Sequence, residues 1–155
     1  MSEPDLQYDM ERTVATLRES HARQVLMLDL LRRQRETSDP EGIMRAAAEA
    51  VGRYLQVDRA GFFEVRDSTL EFSGGWTDGR LPRRIGSFAA VGVGTGYLAA
   101  VRAGRTMRIS DARADPLTAD SVFPEIGTVS VIGVPIIRNG LWHAGFYVNH
   151  SEVRV

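Results

Sequence analysis

The apolar positions in the first part of the chain recur with the period of a helix. Residues 6–36 contain neither glycine nor proline, and oppositely charged side chains four residues apart, such as Glu19 and Arg23, add favourable pairs. The apolar residues that share one stripe of this segment are Met10, Val14, Leu17, Leu28 and Leu31. The pattern predicts one long N-terminal helix.

The same stripe has the spacing of a coiled-coil seam. With His21 and Gln24 included, its positions recur alternately at four and three residues, which is the a/d pattern. We therefore predict a parallel homodimer joined through this helix, in which the two polar positions favour one register. The alternative is that the apolar residues of the second half pack on the chain's own sheet. These residues are Val25, Leu28 and Leu31.

The pattern then predicts a second helix followed by strands. Asp39 can cap a helix that has Pro40 at its first position and runs to about residue 55. The apolar period changes to two in residues 58–66 and 69–76, which flank a short polar turn and are typical of a hairpin. Residues 77–87 are rich in turn formers and predict a loop, followed by a short strand at FAAV.

The second half of the chain adds a short helix at residues 96–102, a strand at 106–110 and a closing hairpin. Asn139-Gly140, the strongest short turn signal, joins VSVIGVPII to LWHAGFYVN. Pro135 inside the first of these strands predicts an edge position or a bulge. Alternation in the last strand predicts one face with Trp142, Ala144, Phe146 and Val148 and the other with His143, Gly145 and Tyr147.

These elements together predict an α+β fold. Their order, α-α-β-β-β-α-β-α-β-β, has no repeated parallel crossover, so we expect an antiparallel sheet of five or six strands with helices on its faces. The chain divides into two parts. We expect residues 1–37 to form a dimerisation helix and residues 38–155 to form the domain that contains the sheet.

Composition excludes several classes of function. The net charge of −1 gives no general attraction to nucleic acid or membranes, and we expect neither as a partner. The chain has no cysteine, which excludes disulfides, thiolate metal sites and cysteine nucleophiles. No apolar run approaches the roughly 20 residues that a membrane-spanning helix needs. The N-terminus is polar and acidic, unlike a signal peptide, so we expect a cytoplasmic protein.

The glycine-rich stretch VGVGTG, residues 91–96, looks at first like a phosphate-binding loop. A dinucleotide fingerprint needs Gly-x-Gly-x-x-Gly, but counting from Gly92 the last position is Tyr97. Counting from Gly94 it is Ala99, so both readings fail. A P-loop needs lysine, and the chain has none. The glycines instead favour unusual backbone angles that let a short helix begin close to a sheet.

Three segments in register carry a family resemblance over about residues 39–150. The segment VGVGTGYLAAVRAGRTMRISDARADP has a V-x-x-G-x-G entry, a short helix, a strand ending in Asp and then ADP. The segment SVIGVPIIRNGLWHAGFYVNH has an apolar strand reaching Val-Pro, a tight turn and a second strand. With the opening segment GIMRAAAEAVGRYLQVDRAGFFEV, they resemble a GAF domain, of the kind found in bacterial sensor proteins such as sensor histidine kinases.

The resemblance implies a GAF/PAS-like fold with a ligand pocket on one face of the sheet. It also implies a regulatory module of bacterial signal transduction that senses a small molecule or dimerises, and not an enzyme. Domains of this family usually precede an output domain, such as the kinase of a two-component system. We expect the C-terminal helix and the output domain to be missing, because the chain ends just after its last strand.

Residue types and motifs that the sequence lacks exclude several activities known in the GAF family. Its methionine-sulfoxide reductases work through cysteine, and its bilin photoreceptors usually anchor the pigment to cysteine. The absence of cysteine therefore excludes such a reductase and a covalently bound bilin. The Asn-Lys-Phe-Asp-Glu pattern of its cyclic-nucleotide members is absent. His143 and His150 are poorly spaced for a metal site, and a surface or core histidine explains His143 better than a haem ligand does. We expect no catalytic residue and no metal ligand; a non-covalent bilin stays an alternative, and the cofactor is left open.

The resemblance also places the walls of the pocket. The residues expected to bind a ligand are Tyr97, Arg108, Asp111, Ser130, Phe88 and Trp76. Arg108 lies on the opposite strand face from its apolar neighbours, so it must be solvated, paired or facing a ligand. Pairing of Arg108 with Asp111 is the alternative to ligand binding. Two function classes follow: a ligand-sensing regulatory domain, and a dimerisation and interaction module without a ligand.

Overall fold

The computed structural model describes residues 3–36 and 39–155 of the chain. The α-helices in these residues are α1 (Glu3–Glu36), α2 (Pro40–Leu55) and α3 (Thr95–Arg102). The strands are β1 (Arg59–Arg66), β2 (Thr69–Gly74), β3 (Trp76–Thr77), β4 (Arg84–Ala89), β5 (Met107–Ile109), β6 (Ser130–Arg138) and β7 (Leu141–His150). Single turns of 3-10 helix cover Ala90–Val93, Pro116–Thr118 and Pro124–Ile126. The predicted boundary between residues 37 and 38 lies outside the described residues.

The strands form one antiparallel sheet in the order β4-β2-β1-β7-β6-β5. The two-residue strand β3 pairs with the beginning of β1 and lies off this path. The predicted α+β fold with an antiparallel sheet is confirmed, and β3 is an addition to the six strands of the path.

The sheet has a separate hydrophobic core on each face. On the face covered by α2, the buried residues are Ala48, Val57, Ala60 and Val148. On the face covered by α3, they are Leu70, Ala90, Tyr97, Leu98, Ala100, Val101, Met107, Ile109, Ala112, Phe123 and Val131. Because neighbouring strand residues point to opposite faces, Phe62 packs on Phe146 on the α2 face while Phe63 packs against the core on the α3 face.

Helix α2 begins and ends with caps that the sequence encodes. The Asp39 carboxylate accepts hydrogen bonds from the backbone N–H groups of Glu41 and Gly42 at 3.2 and 3.1 Å, which satisfies two donors of the first turn. Pro40 occupies the first helical position, as predicted. The helix ends where Gln56 adopts a left-handed conformation with φ of 54°.

The closing hairpin turns at Asn139-Gly140, as predicted, and both residues have positive φ, 52° and 75°. Its alternation, however, is broken. Ile136 pairs with Ala144 and Ile137 with Trp142, so His143 is an extra residue that forms a bulge. The prediction that Trp142 shares a face with Phe146 is therefore wrong: Trp142 packs on the α3 face, whereas Phe146 packs on the α2 face.

The strand β4 is longer and begins earlier than predicted. The segment expected to be a loop up to residue 87 contains most of β4, while Ala90 and Val91 of the expected strand belong to a 3-10 turn. β4 is an edge strand that pairs only with β2 among the described strands. An edge strand with five exposed residues out of six lacks the apolar alternation that marks a strand in sequence.

Helix α1 packs against α2. Its half-buried apolar residues are Ala22, Leu26 and Leu30, which recur every four residues on one side. Val25, Leu28 and Leu31 are 51, 67 and 48% exposed, so the alternative in which they pack on the chain's own sheet is wrong. We use "the α1 seam" for the a/d positions, all of them exposed, which are Met10, Val14, Leu17, His21, Gln24, Leu28 and Leu31.

Candidate functional site

A cavity of about 60 Å³ lies on the α3 face of the sheet, between the strands, α3 and the segment around Phe123. Apolar side chains form most of its wall. The aromatic residues that line it are Phe63, Phe72, Phe88, Tyr97, Phe123, Trp142 and Tyr147. Volume of this size holds a few water molecules or a small organic group, well below the 300–1,000 Å³ typical of sites for drug-sized ligands.

The aromatic side chains pack on one another and close much of the space between the layers. Phe72 contacts Phe63 and Tyr147 with ring centroids 5.3 Å apart in both pairs. Phe63 also meets the edge of Trp142 at 5.8 Å. A Cβ added to Gly145 would lie 2.3 Å from the Phe63 ring, so the glycine makes room for this wall.

Tyr97 reaches from α3 across the cavity to the sheet. Its hydroxyl lies so close to Gly133 of β6 that a Cβ built there would be 1.9 Å from the oxygen. Its ring packs edge-on against Phe123 at 5.7 Å. Burial raises the pKa of the Tyr97 hydroxyl far above its usual value, so this group is a neutral hydrogen-bond donor at physiological pH.

Three polar groups, each on a residue that lines the cavity, have no hydrogen-bond partner among the described residues. They are the hydroxyls of Tyr97 and Tyr147 and the indole Nε1 of Trp142, which is fully buried. Burial raises the pKa of the Tyr147 hydroxyl to about 12, although the nearby Arg59 and Arg84 charges oppose the shift. Unpartnered polar groups in an apolar cavity are costly in isolation and can serve to orient a bound molecule.

Arg84 of β4 lies at the edge of the cavity. Its guanidinium carbon lies 3.9 Å from the centroid of the Phe88 ring and 5.0 Å from that of Phe72, which is cation–π geometry. The side chain is half-buried, and burial lowers its pKa. None of the described carboxylates forms an ion pair with the Arg84 guanidinium.

Arg59 lies behind this site and is 1% exposed. Its guanidinium donates to the carbonyl oxygen of Pro82 at 2.8 Å and to Thr128 Oγ1 at 2.9 Å. With the amide of Asn149 oriented so that its oxygen faces Arg59, that oxygen accepts from Nε at 2.9 Å. These acceptors are neutral. Burial, and then the charge of Arg84, lower the pKa of Arg59 to about 10, which leaves it protonated at neutral pH.

The expected binding residues divide between the cavity and other places. Phe88 and Tyr97 line it together. Trp76 lies on the opposite face, where its ring fills the space above Gly52 of α2. Ser130 Oγ contacts the carbonyl oxygens of Ser110 and Glu152 at 2.7 and 2.6 Å and so holds the C-terminal segment against the sheet.

The two charged residues expected at the site also lie outside the cavity. Arg108 is exposed between buried Met107 and Ile109. The alternative of a pair between Arg108 and Asp111 is not formed, because Asp111 Oδ1 accepts from Arg113 Nε at 2.8 Å. The short loop after β5 makes this local pairing available within two residues. Neither residue faces the wall of the cavity.

The cavity residues that sequence reasoning missed are Phe63, Phe72, Arg84, Trp142 and Tyr147. The first two fall in the predicted hairpin, where alternating aromatic residues indicate core and not a site. Trp142 was missed because the bulge at His143 moves it to the face opposite the one that simple alternation predicts. For Arg84, a signal existed: Arg84, Gly86 and Phe88 alternate, but a strand there was not predicted.

Groups of three or more His, Asp or Glu side chains arranged to hold a metal are absent from residues 3–36 and 39–155. Within the same ranges no helix is both long and apolar enough to cross a membrane.

The sequence profile of the GAF domain family matches residues 39–150, and the chain belongs to this family. Among curated proteins, none matches the chain. Two solved structures with a similar fold are GAF domains from a cyanobacterial phytochrome, one bound to phycocyanobilin and one to phycoerythrobilin. Each is 18% identical to this chain. The match to the phycocyanobilin-bound domain covers 85% of this chain and 81% of that domain's chain, with a TM-score of 0.68. The match to the phycoerythrobilin-bound domain covers 88% of this chain and 85% of that domain's chain, with a TM-score of 0.69.

A third similar structure is free methionine-R-sulfoxide reductase from Neisseria meningitidis in complex with its substrate. It is 17% identical, covers 85% of this chain and 74% of its own, and has a TM-score of 0.61. At these identities, the likeness concerns the fold.

Proposed function

We propose that this chain is the sensing domain of a signal-transduction protein and binds a small molecule in the cavity on the α3 face. The observation that carries the proposal is the combination of apolar walls with the three unpartnered groups of Tyr97, Tyr147 and Trp142. Such a pocket binds apolar surface and orients it with a few hydrogen bonds. The bilin-bound GAF domains of similar fold support this use of the fold.

The size of the cavity limits the ligand. About 60 Å³ of free space is far less than a tetrapyrrole occupies, so a bilin or haem would require the aromatic wall to repack. The chain also has no cysteine to anchor a bilin. A small ligand fits the arrangement of Phe63, Phe72 and Tyr97 without such a change.

The output of the proposed sensor is a domain beyond this chain, for which we expect a histidine kinase in a bacterial cytoplasmic protein. Helix α2 covers the face of β1 and β7 opposite the cavity, and α1 packs on α2. A ligand that shifts Tyr147 or Trp142 of β7 therefore acts on the strand beneath α2. This path connects the cavity to α1 through packed elements.

A binding screen with matched tyrosine variants tests the proposal. Thermal shift against nucleotides, bilins, haem and small aromatic and aliphatic acids should give a compound that raises the Tm of the intact chain. Tyr97→Phe, which removes only the unpartnered hydroxyl, should weaken binding of that compound about five- to tenfold. Tyr54→Phe is the control, because Tyr54 lies on α2 and does not line the cavity. A compound that binds equally to Tyr97→Phe would contradict the site, and no binding by any compound would contradict sensing.

The second candidate is a dimerisation and interaction module that binds no ligand. The exposed α1 seam favours it, because a helix that leaves Met10, Leu17 and Leu28 more than 60% exposed has an unpartnered apolar stripe. Native mass spectrometry of the purified chain separates the two functions. A bound small molecule supports sensing, whereas ligand-free dimers that bind nothing in the screen support the interaction module.

A further inference from the structure

The cavity on the α3 face has a positive edge without a matching negative group. Arg84 has neither a hydrogen bond nor an ion pair with any described residue. The ionisable side chains that act on it or beside it are Tyr147 and Arg59, one neutral and the other of the same charge. A half-buried guanidinium in contact with aromatic rings and facing a second cation loses hydration without gaining an anion.

Arg59 is also a cation, so it does not neutralise the positive charge of Arg84. Its hydrogen bonds go to the neutral oxygens of Pro82, Thr128 and Asn149. The adjacent carboxylate of Asp58 is engaged elsewhere: Oδ2 accepts from the N–H of Ser151 at 2.7 Å, and Oδ1 lies 3.6 Å from Arg80. Arg59 therefore adds positive potential behind Arg84.

We propose that the cavity binds a small organic anion, a short-chain monocarboxylate, with its carboxylate on the Arg84 guanidinium and its hydrocarbon tail among the aromatic side chains. The guanidinium packs closely on one ring only, that of Phe88 at 3.9 Å, because the rings of Phe72 and Phe88 are inclined at 79°. None of its N–H groups has a hydrogen bond with a described residue, so they are available for two parallel hydrogen bonds to a carboxylate. The hydroxyl of Tyr147, which has no partner, is a further donor on the same side of the sheet.

The volume and lining of the cavity set the size of the tail. About 60 Å³ bounded by Phe63, Val131 and Trp142 accepts an aliphatic tail of roughly three to five carbon atoms, and the apolar lining disfavours a second charge. Inorganic anions lack the tail and leave these walls without a contact. This inference rests on the proposed sensing function of the same cavity.

Isothermal titration of the intact chain with isovalerate and with its neutral counterpart isovaleramide tests the inference. We expect the carboxylate to bind at least about tenfold more tightly than the amide, because charge-assisted hydrogen bonds to Arg84 are lost in the amide. Arg84→Gln should reduce the affinity for isovalerate to that for the amide, and Arg84→Lys should keep part of it. Arg83→Gln is the matched control: Arg83 is the exposed neighbour and does not line the cavity.

The outcomes separate the ligand class from the sensing function. Isovaleramide that binds as tightly as isovalerate, or an Arg84→Gln variant that binds isovalerate unchanged, would overturn the anion while leaving a small-molecule cavity. Equal binding of inorganic phosphate and isovalerate would overturn the role of the tail. If neither isovalerate nor isovaleramide binds to a chain that circular dichroism shows to be folded, this inference fails. The proposed sensing function fails only if no compound of the thermal-shift screen binds either.

Discussion

At the scale of single residues, Gly133 and Tyr97 fix the shape of the cavity. An alanine at position 133 would place its methyl group 1.9 Å from the Tyr97 oxygen in the present packing, so Tyr97 must move. We expect Gly133→Ala to lower the free energy of unfolding by about 1–3 kcal/mol, the usual cost of overpacking. Urea denaturation measures the change. Gly92→Ala is the control, because its methyl group would meet Val122 at an ordinary 3.4 Å.

A double-mutant cycle identifies the clash as the cause. Tyr97→Phe removes the oxygen, so Gly133→Ala should cost at least about 0.5 kcal/mol less in the Tyr97→Phe background. If the two substitutions are additive, the loss does not come from the contact between the methyl group and the hydroxyl.

The two buried tyrosines also predict the response to alkaline pH. Folding raises the pKa of Tyr97 and Tyr147 above the ordinary value of about 10, so the unfolded chain loses these protons first. The free energy of unfolding should therefore be unaffected by these groups below about pH 9 and should fall as pH rises through about 10 to 12. At pH 11, phenolate absorbance of the folded chain should fall short of that of the unfolded chain by two tyrosines.

Tyrosine-to-phenylalanine substitution shows which residues cause the difference in phenolate absorbance at pH 11. In Tyr147→Phe the difference between the folded and unfolded absorbance should shrink to that of one tyrosine. Full ionisation of all tyrosines in the folded wild-type chain at pH 11 would show that water reaches the hydroxyls and that the cavity is open.

At the scale of elements, patterning was sufficient where an element buries one face and has marked ends. The cap at Asp39, the hairpin around residues 67–68 and the turn at Asn139-Gly140 each have a local signal that the tertiary structure does not override. β4 was missed in part because an edge strand has little to bury. The bulge at His143 could not be read, because one extra residue changes the face of Trp142 without changing the local composition.

The candidate site was predictable only in part, for a related reason. Phe88 and Tyr97 lie in segments whose position at the pocket follows from the family resemblance, and both line the cavity. Arg84 could not be recognised as a site residue from its own segment, because beyond Phe88 its neighbours at the cavity, such as Phe72 and Tyr147, lie on other strands. Arg108 shows the converse: a charged residue in a strand pattern indicates exposure as readily as a site.

At the scale of the whole molecule, α1 is too long to be covered by its own domain. Its 34 residues span about 51 Å at 1.5 Å per residue, against a radius of gyration near 13 Å for a domain of about 115 residues. It packs on α2 through the side that contains Ala22 and Leu26, and the α1 seam lies elsewhere on the helix and is exposed. A second copy of the helix with the same a/d spacing would bury this seam.

We therefore predict a parallel homodimer that the seam holds together. Leu17→Glu with Leu28→Glu places like charges in the seam and should convert the dimer to monomers, as measured by light scattering at tens of micromolar. Ala15→Glu with Arg23→Glu is the control, because these residues are exposed outside the seam. A wild-type chain that is already monomeric, or control and seam variants that dissociate equally, would contradict the prediction.

The direction of the two helices can be tested because the chain has no cysteine. In a parallel dimer each seam residue faces its own copy, so Met10→Cys should form a disulfide across the dimer under mild oxidation. Glu19→Cys lies on the opposite side of the helix and should not. In an antiparallel dimer the two copies of residue 10 are separated by tens of ångströms, and neither variant would cross-link. Only the parallel arrangement brings the same end of both α1 helices together. In that arrangement a shift or rotation of the helices is transmitted in the same direction in both protomers, along a shared axis.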